Sequence, residues 1–273
     1  MTRSPSNSEI DMMPVLFIGH GSPMNMVLSN TFTKSLVELG KSLPQPESIM
    51  VISAHWLTRG SYVTCVNQPR MIYDFYGFPE ELYRVTYNCP GAPDVATNVT
   101  RLASGSFHCD KQWGIDHAAY SVMRHMFPSA DIPVFELSLD YSMNDWNPKP
   151  IRYHYDLAKN LKPLRNQGVL IVGSGNIVHN LGLIDFANMN AIPPEWALEA
   201  DNFFKSNLSQ GDHSAIIEYP RLGGIAATRA IPTLDHYLPM IYCLALQEKN
   251  EQLQFTYEGF QNGSISMRSF LIG

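Results

Sequence analysis

Five histidines of this sequence lie at positions from which their side chains could form a reactive site. They are His20 in GHGSP, His55 in SAHW, His117 in GIDHAAYS, His179 in GNIVHN and His236 in PTLDHYLP. Three follow short apolar runs, and two precede predicted helices. Neutral imidazole is the commonest metal-binding side chain and also an acid–base group near neutral pH. One such histidine alone indicates a hydrogen-bonded core or capping residue, but five together predict a metal or catalytic cluster.

Other familiar site patterns are missing from the sequence. No HExxH, Walker or GxSxG motif occurs, and the turn at Gly173 to Val178 (GSGNIV) lacks the third glycine of a dinucleotide-binding loop. The remaining histidines have no strand-end context and are predicted to be structural: His108, His125, His154 and His213.

The elements that would position the five histidines follow from hydrophobic patterns. Short β-branched runs predict buried strands at Pro14–Gly19, Ser48–Ser53, Ile132–Leu139 and Gly168–Gly173, with late strands at Gln254–Tyr257 and Ser264–Phe270, for which an edge hairpin is one option. Helical spacing predicts helices at Thr31–Leu43, Pro93–Ala103, Ala118–Met126, Ile151–Asn166, Trp196–Leu208 and Tyr237–Gln247.

This alternation of strands and helices predicts an α/β fold. We expect a single domain over residues 13–273, with a mainly parallel central sheet flanked by helices, after a loose tail at 1–12. Because ligands in open α/β sheets gather at the carboxyl ends of strands, the strand-end histidines should lie together. The glycines at 19, 21, 173 and 175 would let backbone approach that site closely.

Composition excludes several other classes of protein. The chain has 273 residues, is 45% apolar and 16% charged, and carries a net charge of −6 without any basic run, which argues against nucleic acid as a partner. No apolar stretch is long enough for a membrane span, and the polar first ten residues do not resemble a signal peptide. The four cysteines are far apart with no CxxC pair, so we expect neither a disulfide framework nor a cysteine zinc site. A cytoplasmic protein, monomeric or a small homo-oligomer, fits best.

Six motifs in order carry a family resemblance. They are GHGSPMN, ISAHW, IYDFYGFPEELYRVTYNCPGAP, GIDHAAYSV, VGSGNIVHNL and PTLDHYLP, between residues 19 and 239. Together they resemble the extradiol ring-cleavage dioxygenases of the LigB type, in the branch of the DOPA dioxygenases of bacteria and betalain-making plants. The resemblance covers nearly the whole chain after residue 13.

The resemblance implies a non-haem metal enzyme that opens a catechol ring, DOPA-like or another, with O2. It implies Fe(II) as the working metal, with His20, His55 and His236 as metal ligands. His179 would lie beside the metal, either as a further ligand or as the catalytic acid/base, and His117 would be a second catalytic histidine on the O2 side.

One departure from the family concerns the third ligand. LigB-type enzymes commonly complete two histidines with a carboxylate, as non-haem Fe(II) oxygenases do, whereas this position is His236, with Asp235 as the fallback. An all-histidine set also suits Zn²⁺, which binds such sites more tightly than Fe²⁺, so purified protein could contain zinc.

Two other functions remain open at this stage. One is a non-catalytic metal-binding or interaction protein of the same fold, which the retention of all the motif histidines disfavours. The other is a zinc hydrolase, which needs a carboxylate general base; Glu80, Glu81 and Glu218 are available without motif support.

The aromatic segment Tyr73 to Tyr83 would either form a wall of the substrate pocket or pack as a loop. Asp116 would either orient a neighbouring histidine or cap the next helix.

Overall fold

Short apolar runs form the strands, and amphipathic segments form the helices between them. The computed structural model describes residues 12–102, 105–141 and 149–273. The strands are β1 (Val15–Gly19), β2 (Ser48–Thr58), β3 (Ser61–Thr64), β4 (Phe107–Asp110), β5 (Val134–Asp140), β6 (Val169–Gly175), β7 (Leu253–Tyr257), β8 (Phe260–Gln261), β9 (Ile265–Ser266) and β10 (Ser269–Ile272). The helices are α1 (Thr31–Ser42), α2 (Pro93–Leu102), α3 (His117–Met126), α4 (Ile151–Ala158), α5 (Glu195–Gln210), α6 (His213–Ile217), α7 (Tyr219–Leu222), α8 (Gly224–Ala230) and α9 (Leu238–Ala245).

Eight strands form one central sheet in the order β4-β3-β5-β2-β6-β1-β10-β7. The four middle strands, β5, β2, β6 and β1, are mutually parallel, whereas β10 and β7 add antiparallel strands at one side. At the other side β3 is antiparallel to β5 and parallel to β4. The predicted α/β fold, a single domain with a mainly parallel central sheet flanked by helices, is confirmed.

Helices cover both faces of this sheet, which explains why its middle strands are apolar on both sides. Val15 and Phe17 of β1 pack into a core with residues of α2, α4, α5 and α9. Leu16 and Ile18 point the other way, into a second core with residues of α1 and α3. Every residue of β1 and β6 is therefore buried, as expected of parallel strands between two helical layers.

Two of the predicted segments take a different form in the structure. The helix predicted over Ile151–Asn166 is α only to Ala158 and continues as a 3-10 helix over Lys159–Gln167, because Pro163 has no N–H to donate within an α-helix. The late strands β7 and β10 pair antiparallel at one edge of the sheet, but β8 and β9 lie between them in the chain, so they are not a simple hairpin. β10 lies between β1 and β7, and the predicted run from Ser264 splits between β10 and the separate β8–β9 pair.

The expectation for the cysteines is wrong for one pair, because Cys65 and Cys109 form a disulfide. β3 pairs in parallel with β4, with Val63 opposite Cys109, and this register brings together two cysteines separated by 44 residues. Sequence spacing cannot show this, since the contact depends on which strands are neighbours. Cys89 and Cys243 are buried free thiols.

Part of the predicted tail, residues 1–11, lies outside the described residues, as does Ala103 at the end of the second predicted helix. Within the described ranges, no helix is long and apolar enough to cross a bilayer.

Candidate metal centre

The candidate centre lies where the carboxyl ends of neighbouring strands meet. β6 lies between β1 and β2 and is parallel to both, with Gly19 of β1 paired to Gly175 of β6. His20 follows β1 directly, and its backbone N–H donates to the Gly175 carbonyl at 3.1 Å. Its side chain is buried. A rigid strand end therefore fixes the first histidine.

An irregularity in β2 turns His55 towards the same place. The strand was predicted to end at Ser53 but extends to Thr58. Ile52 pairs with Leu137 of β5 and Leu57 pairs with Leu139, so β2 advances five residues while β5 advances two. The extra residues of β2 form a bulge. Ser53 Oγ accepts the His55 backbone N–H at 3.0 Å within this bulge. Bulges of this kind re-aim side chains next to active sites.

Buried acids anchor the start of α3, where His117 lies. Asp116 is the N-cap of the helix, and its carboxylate accepts the Ala118 N–H at 2.9 Å. Glu136 of β5 accepts the Asp116 backbone N–H at 2.7 Å and the indole N–H of Trp113 at 2.8 Å. Asp116 is therefore a cap, the second of the two roles considered for it, and His117 takes its carboxylate partner from elsewhere.

His236 and His179 come to the centre from loops. The His236 carbonyl accepts the Asn176 N–H at 2.9 Å, and a Cβ on Gly175 would lie only 2.2 Å from that carbonyl oxygen. Glycine at 175 is thus required for this close approach. The His179 backbone N–H donates to the Ala230 carbonyl at 2.9 Å, and its ring stacks on that of His236 with centroids 3.6 Å apart and planes 7° apart.

All five strand-end and helix-start histidines form one cluster. The ring centroid of His20 lies 5.3 Å from that of His55, 5.2 Å from His236 and 5.7 Å from His117. The His55 ring lies 4.9 Å from His236 and 4.0 Å from His117. Ring nitrogens of His20, His55 and His117 all lie within 4.8 Å of one another, and so do the donor atoms of His179, Asp235 and His236.

Oxygen partners form hydrogen bonds with the Nδ1 atoms of three of these rings. Ser174 Oγ donates to the Ala118 carbonyl at 2.7 Å, so it must accept from His20 Nδ1, 3.0 Å away. Asp74 Oδ2 forms a hydrogen bond with His117 Nδ1 at 2.8 Å. His55 Nδ1 lies 3.2 Å from the same oxygen without hydrogen-bond geometry.

The same pattern holds for the third ring, since Asp235 hydrogen-bonds His236 Nδ1. A proton on Nδ1 leaves the lone pair on Nε2, which is the atom free to bind a metal.

Burial keeps the imidazoles of His20 and His55 uncharged. Burial lowers the pKa of His20 and His55 well below the usual histidine value, and the neighbouring histidines lower it further. Burial alone would raise the pKa of Asp74, but hydrogen bonds and charge from His117 lower it below its usual range. Burial raises the pKa of Asp116 to about 7, and the Asp74 charge adds to this. Neutral histidines beside an ionised carboxylate are an environment suited to a cation.

The donor set fits a divalent metal. Nε2 of His55 lies 3.4 Å from Nε2 of His20. When both Nε2 atoms are unprotonated, their lone pairs can share one cation at this distance. Two nitrogens bound tetrahedrally at about 2.05 Å would be about 3.3 Å apart.

The four histidines predicted to be structural lie outside the cluster. His154 is buried beside the Tyr242 hydroxyl, and His213 contacts Tyr155 and Gln247. His125 contacts the Asn25 carbonyl, and His108 is exposed on β4.

Sequence reasoning missed Asp74, which is the acid closest to two of the clustered rings. Asp74 lies in the aromatic segment from Tyr73 to Tyr83, where only the aromatic side chains were predicted to have a role. The signal available was a carboxylate inside the motif IYDFYGFP, but nothing local shows which histidine it meets. The Phe75 ring contacts the His117 ring edge-on at 5.6 Å, so this segment does border the centre.

Comparison with known proteins agrees with this architecture. Residues 14–256 match the family model described as the catalytic LigB subunit of aromatic ring-opening dioxygenase. The chain is 40% identical to the Escherichia coli K12 protein named 4,5-DOPA dioxygenase extradiol over 96% of this chain and 95% of that one. It is 30% identical to the Beta vulgaris protein of the same name over 96% and 97% of the two chains.

A solved structure shows the same fold. The crystal structure of an uncharacterized protein from Escherichia coli K12 superimposes with a TM-score of 0.81 at 37% identity, covering 96% of this chain and 100% of the other. This chain therefore belongs to the LigB family, and it is an extradiol ring-opening dioxygenase of that family.

Proposed function

We propose that this protein binds one divalent metal through His20, His55 and His236 and uses it to cleave the ring of a DOPA-like catechol with O2. The observation that supports the proposal is the pair of Nε2 atoms of His20 and His55, which lie 3.4 Å apart and can bind one ion together. This pair is a bidentate nitrogen site for a metal, and family membership supplies the reaction class.

The ring positions favour His236 as the third ligand. Three imidazoles bound tetrahedrally at about 2.05 Å would have centroids about 5.2 Å apart. His20, His55 and His236 form a triangle with sides of 5.3, 5.2 and 4.9 Å. His117 also offers a nearby nitrogen, but its ring lies 4.0 Å from that of His55, too close for two ligands of one ion in this geometry.

Fe(II) is the working metal in this proposal, and Zn²⁺ is its competitor. An all-histidine set binds either ion, and the Irving–Williams order favours zinc. When bound, the metal would hold catechol and O2 together and pass electron density from the ring to oxygen. The protein's own residues have to manage protons and orientation.

His179 is the proposed acid/base. Its ring is stacked 3.6 Å from that of His236, a spacing that does not let both rings bind one ion head-on. Burial lowers the pKa of His179, and the His236 charge lowers it further, so it is unprotonated at neutral pH. In that form it can accept a proton from a catechol hydroxyl.

His117 is the proposed proton donor on the oxygen side. Its Nδ1 is held by Asp74, and the ring is fixed at the start of α3. When Nε2 also takes up a proton, the Asp74 carboxylate stabilises the imidazolium, which can then pass that proton to oxygen. Phe75 borders it edge-on. Further rings of the aromatic segment, Tyr73 and Tyr83, pack near Phe75, which supports a flat aromatic substrate.

The deciding experiment uses protein loaded with Fe(II) without oxygen, then mixed with oxygenated buffer and a panel of catechols that includes DOPA. We expect O2 uptake and a yellow ring-opened semialdehyde. The absence of O2 uptake for every catechol, with iron demonstrably bound, would refute the proposal.

Histidine variants assign the roles. His20→Ala, His55→Ala and His236→Ala should lose metal, whereas His117→Ala and His179→Ala should keep metal and lose turnover. His108→Ala is the matched control, because it removes an exposed imidazole away from the cluster. If His117→Ala loses the metal and His236→Ala retains it, His117 is the third metal ligand and His236 is not.

The hydrolase alternative gains no support from the structure. Glu80 and Glu218 form exposed ion pairs with Arg84 and Arg221. A hydrolysis screen with zinc-loaded protein tests it directly.

A further inference from the structure

One glutamate lies fully buried in the middle of the central sheet, and the proposed mechanism does not use it. Glu136 belongs to β5, where its neighbours Phe135 and Leu137 are apolar and buried as well. Burial raises the pKa of Glu136 well above its usual value, and the charge of Asp116 raises it further. A buried carboxyl group costs free energy unless hydrogen bonds compensate for the lost water, so its presence in this strand calls for an explanation.

Both oxygens of Glu136 accept hydrogen bonds from the segment that leads into α3. Oε1 accepts the backbone N–H of Asp116 at 2.7 Å, and Oε2 accepts the indole N–H of Trp113 at 2.8 Å. The backbone N–H of Glu136 donates to Thr64 Oγ1 of β3 at 2.7 Å, which ties the glutamate to the neighbouring strand. Glu136 is therefore a pair of acceptors on a rigid strand, aimed at the residues just before His117.

The two hydrogen bonds act on different parts of that segment. Asp116 is the N-cap of α3 and accepts the N–H of Ala118 at 2.9 Å, so a shift of Asp116 moves the first turn of the helix, including His117. The indole of Trp113 instead stacks on that of Trp56, with centroids 5.2 Å apart and planes 3° apart. The bond to Trp113 thus orients an indole, whereas the bond to Asp116 fixes where α3 begins.

We infer that Glu136 is a positioning residue for ring cleavage, because its hydrogen bond to the Asp116 N–H sets where α3 begins and hence where the His117 imidazole lies. The inference rests on the proposed function for the role of His117, but the hydrogen bond and the ring can be observed without turnover. Of the two bonds to Glu136, the one from Asp116 should govern turnover and the one from Trp113 should not.

Three variants separate the two hydrogen bonds. Glu136→Gln keeps the shape of the side chain but replaces one acceptor by an NH2 group, which can only donate, so one of the two N–H groups loses its partner. Trp113→Phe removes the indole N–H and keeps an aromatic ring beside Trp56. In the double variant the amide oxygen is free to turn to Asp116, because the competing N–H is gone.

The kinetic arm uses Fe(II)-loaded protein and the best catechol of the panel. We expect kcat of Glu136→Gln to fall by about tenfold or more, because small displacements of a reacting group carry large rate penalties. KM and Zn²⁺ affinity should change less than kcat. Trp113→Phe should keep a kcat near that of the wild type, and the double variant should recover most of the loss. A merely structural role would lower the free energy of unfolding of Glu136→Gln and leave kcat per folded molecule unchanged.

The second arm is NMR spectroscopy in the presence of diamagnetic Zn²⁺, which needs no turnover. In Glu136→Gln the amide proton of Asp116 should move upfield, since its short hydrogen bond is lost or weakened. The ring ¹H–¹³C signals of His117, assigned by their loss in His117→Gln, should shift or broaden. Both sets of signals should return towards their wild-type positions in the double variant with Trp113→Phe.

Glu251→Gln is the matched control, because it makes the same chemical change at another hydrogen-bonded glutamate. Glu251 binds Arg165, whose Nε donates to the Met13 carbonyl before β1, whereas the histidine cluster lies beyond the other end of that strand. Glu251→Gln should lower stability and leave the Asp116 and His117 signals unchanged.

Two results would overturn the inference. One is a folded Glu136→Gln protein with wild-type kcat and unchanged His117 signals. The other is a Trp113→Phe protein that loses as much kcat as the inference assigns to Glu136→Gln, a result that decides the matter even if Glu136→Gln does not fold. The expected NMR changes in a protein that cleaves no catechol would refute the proposed function while supporting the placement of His117 by Glu136.

Discussion

Gly175→Ala should weaken metal binding without removing any ligand. The added Cβ would lie 2.2 Å from the His236 carbonyl oxygen, and 3.3 Å from the Pro239 side chain. An ordinary contact needs about 3.4 Å between such atoms, so the His236 backbone must move by roughly 1 Å. That movement also strains the 2.9 Å hydrogen bond from Asn176 to the same carbonyl.

The size of the expected loss follows from the tolerance of metal–ligand bonds. A working site holds its distances within about 0.2 Å, so a displacement near 1 Å removes most of the bond from His236. We expect at least a tenfold loss of Zn²⁺ affinity, together with about 1–3 kcal/mol of destabilisation from overpacking. Chelator competition gives the affinity, and urea unfolding gives the free energy of unfolding.

Gly182→Ala is the control for this experiment. Its Cβ would meet only the Asn180 side-chain oxygen at 3.3 Å, and it lies in the loop that follows His179. It should retain wild-type metal affinity. Equal affinities for Gly175→Ala and Gly182→Ala would refute the argument that the close approach at residue 175 places His236.

Three further predictions concern stability, and each is measured by chemical or thermal unfolding. Burial alone would raise the pKa of Glu251, but hydrogen bonds from the fully buried Arg165 lower it. This pair therefore stabilises the fold above about pH 4.3. The contribution is lost as pH falls further, through the lowered pKa of the folded state. Arg165→Met should cost about 3–5 kcal/mol at pH 7 and flatten this acid dependence; an unchanged acid limb would contradict the assignment. Reduction of the Cys65–Cys109 disulfide, which spans 44 residues, should cost up to about 4 kcal/mol, whereas unchanged stability after complete reduction would show that the bond constrains little. Asn30→Ala removes the N-cap of α1 and should cost about 0.5–2 kcal/mol, with no effect on metal affinity.

The local pattern of apolar and polar residues was sufficient to predict the main strands and helices of the fold. The apolar runs at Pro14–Gly19 and Gly168–Gly173 became β1 and β6, because a strand buried between two helical layers is apolar throughout. The segment Thr31–Leu43 became α1, with Asn30 as a cap that the hydrophobic spacing did not itself identify. The short strands β3 and β4 were missed, since four-residue runs are too short for their hydrophobic periodicity to be recognised.

The sequence by itself indicated that His20, His117, His179 and His236 would lie near the ends of elements, because that depends only on where apolar runs stop. His55 follows an apolar run too, but it lies inside β2, which continues to Thr58. Which of them meet was decided by tertiary structure. The order of strands placed β6 between β1 and β2, a bulge turned His55, and the close packing at Gly175 brought in His236.

The same reason explains the Cys65–Cys109 bond and the contacts of Asp74, which no spacing indicated. Residue periodicity records which face of an element is buried. It does not record which distant element covers that face, because many strand orders would bury the same side chains equally well.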